Sequence, residues 1–343
     1  MERIKIGFIG CGGIARARHV PELAENANTE LSAFCDVIPD RAQYLADLYG
    51  GNIYTDYREV LKRGDIDAIF VLCRNDMHAV ITIDALNASK HVMCEKPMAA
   101  TEEQCKQMIK AAEMNKRLLM IGHNQRLLPA HIKAREIIKS GVYGKVISFR
   151  TTFGHTGCEN FSIDGSATWL FKKEPAVFGT LADLGVHKAD LIRYLLGENI
   201  TEVSAFAGIL AKKDDKNKMI EVEDNACCLF RTESNIIGTL TASWTYEIED
   251  NSTKIYFEKA IMSIYDDPVN DIIISFRDGK KKKYKLGGIQ TNENQFKSGI
   301  PDEFINSIIE NREPIIKPED GLQAIRIILA CLESAETGQK ILL

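Results

Sequence analysis

No apolar stretch in the 343-residue chain approaches the ~18 residues that a membrane-spanning helix requires. No cysteine pair stands in C-x-x-C spacing, and the nine cysteines, at 11, 35, 73, 94, 105, 158, 227, 228 and 331, are odd in number and scattered. That disfavours a disulfide framework, a metal site and a cysteine nucleophile, and makes a reducing cytoplasm the expected setting. An excess of one charge is missing too. Lys+Arg 43 against Asp+Glu 48 leaves −5 with no strong block in either half, so no broad cationic surface invites nucleic acid. Internal repeats and Pro/Gly/Ser-rich linkers are also absent, so any two domains should pack closely. The N-terminal Met1-Glu2-Arg3-Ile4 enters an alternating pattern at once, without a signal-peptide core.

What remains is an ordinary globular composition, 45% apolar and 27% charged, at a length that suggests about two domains. Through residue 122, short apolar runs alternate with helical patterns: strands at 4–9, 30–36, 68–73, 91–94 and 118–122, helices at 14–25, 39–49, 78–88 and 101–115. Such βαβ grammar predicts a doubly wound parallel sheet, a Rossmann-type α/β domain over 1–122. After a helix at 130–140 the pattern becomes successive strands, at 146–153, 203–210, 226–231, 236–244, 254–258, 261–265, 272–277 and 281–286. Asp278-Gly279 reads as a hairpin turn. Residues 123–343 are therefore expected to form an α+β domain with a large, mostly antiparallel open sheet, closed by helices at 295–311 and 318–337. Lys280–Lys283 has two readings, an anionic docking patch or a lysine-protected edge strand, of which the edge is favoured.

Three clusters carry chemistry. Gly10-Cys11-Gly12-Gly13-Ile14-Ala15 matches G-x-G-x-x-[GA] between a strand and a helix. Gly10 permits the turn, Gly12 lets backbone approach a pyrophosphate, and helix-terminal N–H groups hold the phosphates. Asp36 closes the next strand 21 residues beyond Ala15, where a carboxylate accepts from a ribose 2′-OH and repels a 2′-phosphate. NAD is thus expected over NADP, with nearby Arg41 as the opposing signal. Glu95-Lys96-Pro97 follows a strand end, and Lys96 reads either as a surface lysine or as a group that polarises a substrate hydroxyl. Asp183-x-Gly185-x-His187-x-x-Asp190 sets a potential general base four residues from a carboxylate that would orient it, although a lone helical histidine is more often structural.

Taken together, these residues make the chain similar to the Gfo/Idh/MocA family of sugar- and inositol-acting oxidoreductases. The likeness rests on GxGxxA at 10–15, Asp36, Asn75-Asp76-Met77-His78, Glu95-Lys96-Pro97 and the 183–190 motif, with Asp320-Gly321-Leu322 and Ser334 near the end. The resemblance implies hydride transfer between nicotinamide and a secondary alcohol of a sugar, inositol or related polyol, with Lys96, Asp183 and His187 catalytic. The implied cofactor positions are Gly10, Gly12, Gly13, Ile14, Asp36, Arg41, Cys73, Asn75, His78, Glu95 and Lys96. Substrate positions are Lys96, Asn124, Arg126, Asp183 and His187. Arg126 keeps two readings, a substrate contact or a brace between domains. The resemblance also implies a homodimer or homotetramer through the C-terminal sheet. Rival readings are an NAD-recycling glycosidase or lyase and a non-enzymatic NAD-sensing regulator.

Two departures stand out. Where the family commonly has three glycines before the aspartate, this chain reads Val177-Phe178-Gly179, and Arg74 replaces the proline before Asn75. His155, Cys158 and Glu159 are expected on a substrate loop. Trp169 offers a sugar-stacking face but is expected in the core.

Overall fold

The computed structural model describes residues 2–287 and 297–343. Six strands, β1 (Ile4–Ile9), β2 (Thr29–Cys35), β3 (Asn52–Tyr54), β4 (Ala68–Val71), β5 (His91–Cys94) and β6 (Leu119–Ile121), form one sheet in the order 3-2-1-4-5-6. Every pairing in it is parallel. β4 is buried at all four residues, as a strand covered on both faces must be, which is why it reads as an unbroken apolar run. Helices start where the chain supplies a reason. Pro39 opens the helix Pro39–Tyr49, and the Thr101 hydroxyl accepts from the Gln104 N–H (3.2 Å) to cap Glu102–Asn115. The expected helix over 14–25 contains a π-turn, Ala15–His19, before regular helix over Val20–Glu25. The edge strand β3 and the helix Tyr57–Leu61 were not expected; β3 is three residues long and mostly exposed, so it leaves almost no apolar signal.

The second sheet has nine strands: β7 (Val146–Gly154), β8 (Ile200–Gly208), β9 (Asn225–Thr232), β10 (Ile237–Ser243), β11 (Thr253–Phe257), β12 (Ile261–Ile264), β13 (Ile272–Ser275), β14 (Lys281–Tyr284) and β15 (Ile341–Leu342). Their order is 14-13-12-11-7-10-9-8-15, antiparallel throughout except for the parallel β7–β10 pair. Gly279, at φ +84°, makes the β13–β14 hairpin turn, and the lysines of β14 lie exposed on the sheet edge, as edge protection requires.

The tail helices return to the first domain. Ile300, Phe304, Ile305, Ile316 and Ile325 belong to the same apolar core as β1 and β4, with Phe304 edge-on to Phe70 at 5.6 Å. The helix expected from residue 295 is observed as Ile300–Ile309; its expected start at 295–296 lies outside the described residues. The longer helix Pro318–Thr337 packs on β8 and on Glu102–Asn115 together. The chain is thus two sheets with an interleaved terminus.

Candidate active site

The cleft opens at the switch point of the first sheet, between β1 and β4, where the strand order reverses and successive connections run to opposite sides of the sheet. Gly10 has φ +99°, and a Cβ there would stand 2.5 Å from the Leu72 backbone, so only glycine allows β1 to turn against β4. At Gly12 the situation reverses: no atom lies within 4 Å of a would-be Cβ, and the position faces open cleft. Helical backbone begins at Gly13, so its first N–H groups look into that space. These are the features a dinucleotide pyrophosphate needs, and the residues fit it.

Gly12, Gly13, Ile14, Arg41, Cys73 and Asn75 line the cleft, as do His78, Glu95 and Lys96. Gly10 and Asp36, also expected at the cofactor, are not among the cleft-lining residues. Asp36 accepts from the Cys11 N–H (2.8 Å) and the Ile38 N–H (2.9 Å), which pins the glycine loop to the end of β2. Asn75 is fixed by donating to the Ala176 carbonyl (2.8 Å), and His78 bridges the carbonyls of Pro97 and Cys73. Glu95 accepts from His19 (2.7 Å) and from the Lys96 N–H (3.0 Å). Arg74 pairs with Asp76 (2.7 Å) and is half exposed, away from the cleft lining.

At the other end, Lys96, Asp183 and His187 meet. The Lys96 ammonium lies 2.7 Å from Asp183 Oδ1 and 2.9 Å from the Asp183 carbonyl. Asp183 Oδ2 accepts from the Trp244 indole N–H (2.9 Å). The expected Asp183–His187 bond is not formed: His187 Nδ1 has no partner, and Asp183 orients Lys96 instead. Burial alone would raise the Asp183 carboxyl, but Lys96, His155 and the indole N–H together hold it below its usual range. His187 is buried against His123 and Phe153, with Nδ1 lacking a partner. Burial first, then the nearby Lys96 ammonium and His123, push it well below 6.5, so the imidazole is neutral at pH 7.

Asn124 and Arg126, expected at the substrate, are not among the cleft-lining residues. Arg126 is buried and grips Asp190 with two hydrogen bonds (2.7 and 2.6 Å) and Asp320 with a third (2.8 Å). Its five donors suit this planar fork, and the geometry supports a brace, but one that ties together residues within 123–343 and does not join that part to 1–122. Trp169, expected in the core, lines the cleft; Trp244 is the buried tryptophan. Of the three loop residues only His155 lines the cleft, since Cys158 is buried and Glu159 pairs with Lys212. Phe153, Phe161 and Arg18 also line it and were missed, because their positions carry no local motif. The two ends of the altered glycine stretch differ physically. Gly179 persists because a Cβ would sit 2.0 Å from the Glu223 carbonyl, whereas Val177 occupies φ +67°, a region that β-branched residues rarely adopt.

With this geometry in place, the comparisons with known proteins are informative. Residues 4–123 match the oxidoreductase family described as having an NAD-binding Rossmann fold, and residues 131–263 match the GFO/IDH/MocA C-terminal domain. The chain belongs to the GFO/IDH/MocA family. Levoglucosan dehydrogenase of Pseudarthrobacter phenanthrenivorans is 31% identical over 58% of this chain and 52% of that protein. Inositol 2-dehydrogenase of Salmonella typhimurium is 30% identical over 59% of this chain and 57% of that one. The match thus spans little more than half the length of either relative. Among solved structures, the aldose-aldose oxidoreductase of Caulobacter crescentus, complexed with glycerol, is 26% identical with a TM-score of 0.83, covering 100% of both chains.

Proposed function

We propose that this chain is an NAD-dependent dehydrogenase acting on a secondary alcohol of a sugar, inositol or related polyol. The observation that carries the reading is the Lys96–Asp183 pair at 2.7 Å, in one cleft with His187 and the open glycine loop. Residues 1–122 hold the dinucleotide on this reading, and 123–343 bring the substrate to it. When bound, NAD supplies the hydride acceptor. Neutral His187 accepts the hydroxyl proton, which requires the unprotonated ring that its burial maintains. Lys96 has three ammonium protons; two go to Asp183, and the third is left for the hydroxyl oxygen, where it stabilises developing negative charge. His155 adds a positioning donor. Its Nδ1 accepts from the Gly157 N–H (3.0 Å), so a neutral ring carries its proton on Nε2, and that buried N–H has no protein partner. A substrate hydroxyl would satisfy it.

The setting follows from the surface. Among the described residues no helix is long and apolar enough to cross a membrane, and nine free cysteines support a reducing cytoplasm. The outer face of the second sheet aligns Phe206, Cys227, Leu229 and Ile237, with Phe206 84% exposed. A second copy of this chain is the natural cover, as a homodimer or homotetramer. Sedimentation of a monomer would refute that cover. The activity is tested with NAD and a panel of sugars and inositols: stoichiometric NADH is expected with at least one. Turnover of a glycoside without net NADH would overturn the dehydrogenase reading.

A further inference from the structure

The far end of the cleft holds an ion pair that the chemistry above does not use. Arg41 follows β2 in the first turns of Pro39–Tyr49, close to the acidic end of that strand, where an arginine ordinarily accommodates a 2′-phosphate. Here its Nη2 lies 2.5 Å from Oδ1 of Asp164, a residue of the other domain, and both line the cleft. Asp164 is the only carboxylate in ion-pair distance of Arg41 among the described residues. Asp36 is anchored by the Cys11 and Ile38 N–H groups and makes no ion pair with Arg41.

The loop bearing Asp164 is built to hold it there. The Asp164 N–H donates to the Ser162 hydroxyl (3.2 Å), the Asp215 N–H donates to the Ser166 carbonyl (3.2 Å), and Glu159 pairs with Lys212. A Cβ on Gly13 would stand 3.2 Å from the Phe161 carbonyl, so the same loop lies directly over the glycine turn. The partners are about three-quarters shielded, with side chains 21% and 30% exposed, so solvent screens the pair only in part.

We propose that Asp164 is a positioning residue that sets cofactor choice, by holding Arg41 in a pair that a 2′-phosphate would have to break. With Asp164 present, the local charge from Asp36, Arg41 and Asp164 is −1, which opposes a phosphate dianion. Without it the charge is zero and a guanidinium fork becomes available. The second domain thereby takes part in selecting the dinucleotide bound by the first. This inference rests on the dinucleotide reading of the cleft.

The test measures dissociation constants of NADH and NADPH by fluorescence titration of the full chain, without substrate. Wild type should prefer NADH. Asp164→Asn should tighten NADPH ~10-fold while moving NADH by less than ~3-fold, the scale of one charge-assisted phosphate contact. In Asp164→Asn combined with Arg41→Met, the NADPH gain should vanish. An unchanged NADPH/NADH ratio in Asp164→Asn, a parallel loss of both, or a gain that survives Arg41→Met overturns the proposal. A parallel loss is what a merely structural loop anchor gives. Binding of neither dinucleotide by wild type would instead defeat the underlying reading of the cleft.

Discussion

The two ends of the cleft are made differently. At the cofactor end, Gly12 and Gly13 present main chain from one short loop that Gly10 turns, and the Asp36 carboxylate pins that loop through the Cys11 N–H. At the chemical end, Lys96, Asp183, His187 and His155 present side chains from three separate segments, two of them in the second domain. A backbone site is specified by what must be absent, namely Cβ atoms. A side-chain site is specified by which groups meet, and by how burial and charge set their protonation.

Truncation should separate the two ends most sharply. Lys96→Ala and His187→Ala should each lower kcat by at least ~10²-fold while leaving NADH affinity intact, as lost acid–base function requires. Near wild-type turnover in either variant would dissolve the distinction. Next comes the Arg126 brace within residues 123–343. Arg126→Met leaves Asp190 buried without its partner, and should cost about 3–5 kcal/mol in urea unfolding. A smaller loss would mean that the Asp190 carboxylate finds another partner once Arg126 is gone.

Acid should loosen one half first. Six of the seven histidines, His78, His91, His123, His131, His155 and His187, lie below their usual pKa because burial disfavours the charged ring, His91 at about 4 and His131 at about 3. Folded-state values below the unfolded ~6.5 stabilise fully above pH ~6.5, and that stability is lost as pH falls towards the folded values. Four of the six lie beyond residue 122, as do both tryptophans, so tryptophan fluorescence should report a drop in Tm of at least ~5 °C between pH 7 and 4.5. A flat profile would show that these rings take up protons without opening the fold.

Two glycines test the backbone end directly. Gly10→Ala should destabilise by about 2 kcal/mol, from its positive φ and the Leu72 backbone. Gly12→Ala should stay within ~0.5 kcal/mol of wild type yet weaken NADH binding, because its Cβ enters only the cleft. Val177→Gly should act in the opposite direction, with a gain of about 1 kcal/mol in urea unfolding from relieved backbone strain. A loss there would mean that contacts made by the valine outweigh the strain.

Much of the first domain was legible because its signals are local. β1 and β5 and the helix Pro39–Tyr49 fall on the expected residues, since each is delimited by Gly, Pro or a run of apolar residues. β3 was missed because three mostly exposed residues bury too little to leave a pattern. At the site, strand-end position raised Lys96 and four-residue spacing raised Asp183 and His187, the family resemblance made all three catalytic, and their pairing differs from the expectation. Trp169 and Trp244 are indistinguishable by composition, yet one lines the cleft and the other fills the core beside Asp183.

By itself, then, the sequence determined the glycine loop, the alternation of strands and helices and the change of grammar near residue 122, because each depends on neighbours in the chain. Tertiary structure alone decided that Asp183 serves Lys96, that Arg126 ties Asp190 to Asp320 and that Asp164 meets Arg41. Those contacts join residues 64 to 194 positions apart. Their partners are chosen by which charges the packed core brings within hydrogen-bond distance, and no spacing along the chain encodes that.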